Sequence, residues 1–550
     1  MSHSSQPSQA STVSQVSHLS GGNDPPRVTR PEQLGVQADA SMPLGMVVEL
    51  DPDTRQIADD VLFGGSPARV LRLSAAGQRA LAELRAGPVT SAAGATLARR
   101  LADTGMAHPR PARAAPLGAP VAEAPVVEAP VVGAPMAEAP VLDATIVVPV
   151  RDRPRELERC LAAAGTRYSV VVVDDESADA AAVAAVCAAH GARLIRRRVN
   201  GGPGPARNTA LRVVSTEFVA FLDSDCIPPP GWIDALAGHF ADPLVAAVAP
   251  RVVGIAAAGT AAAGTAAAGT AAAAAPGGSP LDLGDRPARV APLTRVAYVP
   301  TAALVVRRTA LGDGFDEALR YGEDVDLVWR LIEAGWRVRY EPDVRVAHAE
   351  PASRSALLRR RFRYGNSAAP LTRRHPGAVA PLVLQPWPTI TMAALLARRP
   401  LTAGAAFGAS TALLARRLRA NGLPAENLAR PMAGGVWQTW LGTGRWCGQF
   451  AAPALVLVLA RPGGRRARTR WGRRAAAASL LIGPPLAQWA GRHGDPLRFT
   501  AVSLADQAAY GAGVYAGCLR ERLITPVLPS VAWQPFEGLR RRRSARPSPS

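Results

Sequence analysis

The sequence predicts an α/β protein: a doubly wound parallel sheet, with a small winged-helix-like module in front and an apolar helical region behind. Three observations predict it. Two runs, "ATIVVPV" (144–150) and "YSVVVVDDES" (168–177), are rich in β-branched residues and apolar at successive positions, as strands buried on both faces must be. Helix-patterned stretches separate such runs, and that alternation makes a parallel, doubly wound sheet. After residue 375 the chain turns to long uncharged stretches broken by arginines.

Each element follows in order. Residues 1–40 are dominated by Ser, Gln and Pro without a period and read as disordered. Residues 44–106 read as the small module. There "GMVVELDPDTRQIADDVLFGG" forms two short strands around a turn at Asp51–Asp53. One helix follows, capped by Ser74, and a further helix stops at Gly105. Residues 107–141 carry the repeat "EAPVVEAPVVGAPMAEAP", which reads as an extended, stiff linker that lets the module swing.

The α/β domain spans 142–375. Its Ala/Gly/Thr-rich piece, 256–278, reads as a loop insertion. Residues 376–530 form the apolar helical region. The uncharged stretch 376–397 is long enough to cross a bilayer, at roughly 20 residues per span. Stretches 400–415, 446–460 and 475–491 are short or Pro-broken and suit the interface. Arg416, Arg417, Arg461, Arg465 and Arg466 flank them as cytoplasmic anchors would. A helical domain with an Ala-rich core is the other reading. Residues 531–550 read as a basic disordered tail.

The 550 residues carry a net charge of +20, and all 63 basic residues are arginine. That balance suits an anionic substrate, an acidic lipid or nucleic acid. The five cysteines are scattered without a C-x-x-C pair, so neither zinc nor a disulfide framework is indicated. The first 24 residues lack the apolar core of a signal peptide. The expected setting is cytoplasmic, at the inner face of the membrane.

The chemistry concentrates at strand ends. In "AFLDSDCIPPPGW" (220–232) an apolar strand runs into Asp223 and Asp225. Two carboxylates there repel each other unless something holds them, most simply a divalent cation with oxygen ligands; an N-cap is the plainer reading. "VVVVDDES" ends a strand in Asp174 and Asp175, where a carboxylate can accept from a base N–H. "NGGPGPARNTAL" (200–211) is a glycine-rich approach to a helix bearing Arg207. It lacks the Lys-Ser/Thr of a Walker loop, yet its arginine can meet a phosphate. "RYGEDVDLVWRLIEAGWRVRY" (320–340) starts an amphipathic helix with Glu323 and Asp324. The helix dipole alone favours acids there, and a carboxylate there can also act as general base. His348, in "VRVAHAEP", is a third metal ligand or a satisfied polar residue.

In this order the motifs resemble the family 2 glycosyltransferases of GT-A fold, over roughly 144–370. The resemblance implies an inverting transfer from a UDP-sugar, helped by Mg²⁺ or Mn²⁺. It places Pro149, Asp175, Arg207, Asp223, Asp225 and Arg363 around the donor, with Asp175 on the uracil. It places Asp223, Asp225 and His348 at the metal, and makes Asp324 the base. The family's usual "DDGS" is "DDES" here. The whole layout, front module and apolar tail included, is similar to the mycofactocin-biosynthesis glycosyltransferases. These imply UDP-glucose as donor, a small peptide-derived redox cofactor as acceptor, and a β-linked oligoglucose product. A polyprenyl lipid or cell-envelope polysaccharide acceptor is the alternative. A nucleotidyltransferase would want a glycine-rich loop where this chain has "PVRDRPRE". A basic winged-helix DNA binder would leave the acids idle, so nucleic acid is not the expected partner.

Overall fold

The computed structural model describes residues 26–37, 40–111, 141–255, 279–351, 353–460, 467–490 and 494–532. Expectations for 1–25, the linker core 112–140, the insertion 256–278 and the tail beyond 532 lie outside the described residues. Residues 26–37, expected to be disordered, lie along the α/β domain instead. Trp336 donates its indole N–H to the Thr29 carbonyl at 2.6 Å, and Asp313 N–H donates to the Arg27 carbonyl at 2.9 Å.

The front module comprises β1 (Val47–Leu50), β2 (Arg55–Ala58), β3 (Val61–Gly64), β4 (Arg69–Arg72), α1 (Ala75–Ala86), α2 (Ala92–Thr104) and β5 (Ala107–Arg110). The turn at Asp51–Asp53 does not close a hairpin. β1 pairs with β5, and β2 with β3. The buried Asp51 carboxylate is held by His108 at 2.7 Å, which fixes the chain's change of direction. Ser74 does cap α1, accepting from Gly77 N–H at 3.2 Å. The first residues of the expected linker are β5.

The α/β domain follows: β6 (Ala144–Val150), α3 (Pro154–Ala164), β7 (Ser169–Asp175), α4 (Ala180–Ala189), β8 (Arg193–Arg197), α5 (Pro203–Leu211), β9 (Phe218–Leu222), β10 (Cys226–Ile227), α6 (Trp232–Ala237), β11 (Val245–Ile255), β12 (Ala288–Arg289), β13 (Ala303–Arg307), α7 (Glu323–Glu333) and β14 (Arg337–Ala349). The main sheet runs β10-β14-β11-β13-β9-β6-β7-β8, with β12 also on β14. The strands β9, β6, β7 and β8 are parallel, as expected. The other half is mixed, because β13 enters antiparallel between β9 and β11. Both faces are covered. Val147, Val171, Val219 and Phe221 pack on one side, and Ile146, Val148, Val172 and Leu222 on the other.

The C-terminal region is helical: α8 (Arg354–Asn366), α9 (Ala368–Arg374), the short β15 (Val383–Leu384), α10 (Pro386–Leu396), α11 (Pro400–Ala420), α12 (Ala429–Trp446), a π-turn at Cys447–Ala451, α13 (Ala452–Ala460), α14 (Ala467–Trp489), α15 (Pro496–Glu521) and the short β16 (Ser530–Val531). The expectation that 376–397 crosses a bilayer is corrected. Its 11-residue helix α10, preceded by β15, reaches only about 16 Å at 1.5 Å per residue. Among the described residues no helix is long and apolar enough to cross a membrane.

The module is packed against the α/β domain through charged contacts. Arg99 of α2 donates to both oxygens of Asp242, at 2.7 and 2.9 Å, and Arg339 reaches the same carboxylate at 2.5 Å. All three are buried. Burial alone would push the Asp242 carboxyl up, but the two guanidiniums outweigh it and hold it below its ordinary value. Arg110 adds bonds to Glu341 and Asp343, and Arg337 grips Asp103 through two 2.9 Å bonds. A linker's stiffness says nothing about such contacts, which is why the sequence suggested mobility. Arg99→Ala is expected to destabilise the protein by about 3–5 kcal/mol, the usual cost of stranding half a buried ion pair. Chemical denaturation of the full chain, with proteolysis of the linker as a second readout, checks it.

Candidate active site

Parallel strands bring their carboxyl ends to one edge, and the candidate residues gather there. β7 ends in Asp174 and Asp175, and β9 runs directly into Asp223. β6 lies between them and carries Pro149 opposite Val173. Asp174 is buried and structural: its Oδ1 accepts from Ser177 N–H at 2.8 Å, and Arg196 pairs with Oδ2. Asp175 clamps the glycine-rich loop. It accepts from Gly202 N–H at 2.7 Å and Gly201 N–H at 3.1 Å, with Arg197 at 3.0 Å.

Arg207, expected at a phosphate, is 2% exposed and engaged by two carboxylates. Nη2 donates to Asp223 Oδ1 at 2.7 Å, and Nη1 to Glu323 Oε1 at 3.0 Å. Its guanidinium lies 5.4 Å from the Phe315 ring centre. One side chain thus ties α5 to the end of β9 and the start of α7. Gly322 precedes α7 at φ +82°, and a Cβ there would come within 2.9 Å of Ser367 Cβ. Only glycine suits both the turn and that approach.

Glu323 and Asp324 therefore begin α7 inside the protein. Asp324 Oδ1 accepts from Val325 N–H at 2.8 Å. Burial raises both carboxyls above their ordinary values. Asp324 pushes Glu323 further up, Asp223 pushes both, and Arg207 pulls both back only in part.

Asp225 pairs with Arg153 through Oδ2. Its Oδ1 lies 3.6 Å from His348 Nε2, because β10 pairs with β14 and sets Cys226 opposite His348. His348 Nδ1 is 3.4 Å from Glu350 Oε1 and makes no hydrogen bond among the described residues. Glu350 accepts from Ser279 Oγ at 2.5 Å and pairs with Arg360. The family resemblance implies a divalent ion. Asp225 and His348, whose Oδ1 and Nε2 lie 3.6 Å apart, are the residues that would hold one, both being ordinary ligand types. Asp223 is turned to Arg207, and among the described residues no three His, Cys, Asp or Glu side chains are arranged to enclose an ion. Arg363 is exposed and lies 5.9 Å from the Tyr321 ring centre, beside Gly322.

The sequence reading missed three partners. Glu323 looked like a dipole-favoured cap and is a buried ion-pair partner of Arg207. Arg153 was seen only as the absence of a glycine loop. Glu350 carried a usable signal, since it is two residues from His348 and a strand puts i and i+2 on one face.

Residues 145–266 match glycosyl transferase family 2, and residues 218–457 match glycosyl transferase family group 2. The chain is 35% identical over 514 residues to the pre-mycofactocin glycosyltransferase of Mycobacterium tuberculosis, covering 89% of this chain and 98% of that protein. It is 30% identical over 222 residues to the succinoglycan biosynthesis protein ExoO of Rhizobium meliloti, covering 37% and 59%. Among solved structures, the mannosyltransferase PcManGT from Pyrobaculum calidifontis in complex with GDP-Man and Mn²⁺ aligns with a TM-score of 0.32 and 19% identity, over 62% of this chain and 87% of that one. A GT-A sheet with acids at its carboxyl edge, matched to family 2, defines a glycosyltransferase. Within that family the chain belongs with the pre-mycofactocin glycosyltransferases.

The raised carboxyl of Asp324 has a measurable sign. Its charged form is disfavoured in the folded state, so it costs stability once pH rises above the unfolded value. Below that value both states are protonated and the cost vanishes. Asp324→Asn is therefore expected to raise the melting temperature near pH 8, by a margin that shrinks away as pH falls below the unfolded value. Melting curves across that range check it.

Proposed function

We propose that this enzyme transfers glucose from UDP-glucose to a small peptide-derived acceptor, pre-mycofactocin, and builds a β-linked oligoglucose chain on it. The observation that carries this reading is Asp324, which Arg207 and Glu323 hold beside the Asp223 strand end in a relative of the pre-mycofactocin glycosyltransferase. Asp175 and Pro149 lie at the edge proposed for the uracil. Asp225 and His348 would hold a Mg²⁺ or Mn²⁺ ion, which when bound offsets charge on the departing diphosphate. Arg153, Arg360 and the exposed Arg363 supply further positive charge nearby.

The transfer is a single displacement. An acceptor hydroxyl attacks the anomeric carbon as the bond to UDP breaks, and its proton passes to Asp324. A raised carboxyl pKa makes the carboxylate the stronger proton acceptor. Attack opposite the leaving group turns the α-linked donor into a β-linked product.

The C-terminal region supports a place at the inner face of the membrane. None of the residues of α13, "APALVLVLA", is buried. Leu457 and Trp471 are more than 60% exposed, and Leu401 is 89% exposed. Such a face, amid arginines, suits an anionic bilayer surface without crossing it.

Three outcomes follow. Asp324→Asn is expected to lower turnover by about 10²–10⁴-fold while UDP binding by calorimetry holds; near wild-type turnover would mean another base. Asp225→Ala and chelation by EDTA are each expected to abolish transfer, with Mg²⁺ or Mn²⁺ restoring only the chelated wild type; full activity in EDTA would remove the metal. The full chain is expected to sediment with phosphatidylglycerol vesicles and not with phosphatidylcholine ones.

A further inference from the structure

A cavity of about 250 Å³ lies at the seam between the front module and the α/β domain. Its walls come from α2 and β5 of the module, from β12 and the first half of β14, and from the turn that follows α7. It is remote from the candidate active site. Arg339, in its wall, lies opposite Val248 of β11, whereas His348 lies opposite Gly254. Six residues of β11 separate those partners, which at about 3.3 Å each is about 20 Å.

Four arginines line the cavity: Arg99, Arg289, Arg337 and Arg339. Strand register brings three of them together. β12 pairs antiparallel with β14 and sets Arg289 directly opposite Arg339. Arg337 is two residues before Arg339, and a strand puts i and i+2 on one face. Like charges placed directly opposite repel. The acids at hand are already taken. Asp242 holds Arg99 and Arg339, and Asp103 holds Arg337. Glu341, the other acid of the lining, is engaged by Arg110 and His239. Four guanidiniums thus share the two carboxylates Asp242 and Asp103, a surplus of two positive charges.

Arg289 carries that surplus. Among the described residues its guanidinium makes no hydrogen bond and no ion pair. It is also no freely solvated surface arginine. It is partly buried, and its Cβ lies 3.7 Å from where a Cβ on Gly105, at the end of α2, would sit. Burial, and then the charges of Arg69 and Arg337, hold its pKa below the ordinary value, and Asp103 offsets them only in part. An arginine does not give up its proton in a protein, so the place calls for an anion. Much of the remaining lining is apolar, with Ala102, Ala107, Val290 and Trp336. The volume is more than a bare ion fills and just under the roughly 300–1,000 Å³ of drug-sized pockets.

We propose that this cavity binds a small organic phosphate, with its phosphoryl group on Arg289 and its organic part against Val290 and Trp336. A monoester dianion matches the surplus charge, and a guanidinium fork meets phosphate oxygens two at a time. Held there, the ligand touches both the module and the α/β domain and tightens the seam that Arg99 and Asp242 begin. The site takes no part in the transfer chemistry and does not rest on the transfer reading.

The test is calorimetric titration of the full chain with phenyl phosphate at constant ionic strength, with saturating UDP present to fill the donor site. Wild type is expected to bind one equivalent and to melt higher with it bound. Arg289→Gln is expected to weaken binding about tenfold, roughly the worth of one charge-assisted hydrogen bond. Arg79→Gln, at an exposed position on α1, is expected to change nothing. Benzoate, with the same ring and a single charge, is expected to bind more weakly. Absent binding, binding that Arg289→Gln leaves unchanged, an equal loss in Arg79→Gln, or benzoate binding as tightly overturns the site. In chloride without phosphate, Arg289→Gln is expected to melt no lower than wild type, because it removes a charge that has no partner. A lower melting temperature there would make the guanidinium a structural contact and would overturn its assignment to a ligand.

Discussion

One buried cation, Arg207, links the end of β9 to the start of α7. Arg207 pairs with Asp223 and Glu323 at once, and those two acids come from separate segments. A strand-end acid and a buried helix-start acid sit close together only because that cation lies between them. A lysine would deliver a point charge, whereas a planar guanidinium offers two Nη groups in a fixed fork. The position of Asp324 is therefore inherited: the residue before it is pinned by Arg207, and the glycine before that sets the direction of α7.

The same device recurs at larger scale. Asp242 gathers Arg99 from the front module and Arg339 from β14, as Arg207 gathers two acids. Buried ion pairs are weak evidence of net stability, because desolvation offsets much of their attraction. They are strong on geometry, since a module shifted by one helical turn would strand a charge. The front module is in this sense part of the transferase body.

Some of this was legible from the sequence, and the reason is range. Strands such as "YSVVVVDDES" announce themselves locally, because both-face burial leaves an unbroken apolar run. Strand-end acids are legible for the same reason, as charge following such a run has few bland explanations. The antiparallel entry of β13 was not legible, since strand order is a property of pairing and not of pattern. Nor were the ion pairs. Arg207 and Glu323 are 116 residues apart, and in a chain whose every basic residue is arginine, nothing marks one arginine as the partner.

One contact joins the two ends of the molecule. Val61 of the front module packs with Leu418 and Leu423 beyond the transferase, and Arg72 donates to the Asn421 carbonyl at 2.7 Å. Module, sheet and helical tail thus form a closed circuit, each touching both others. Such a protein is not a string of exchangeable parts. A transferase excised at residues 142–375 would bare the charged Asp242 seam and the apolar Ala368–Ala369 face at once, and a chain without the module would expose the surface of α11 that Val61 covers. Each part thus supplies surface that the other two need covered.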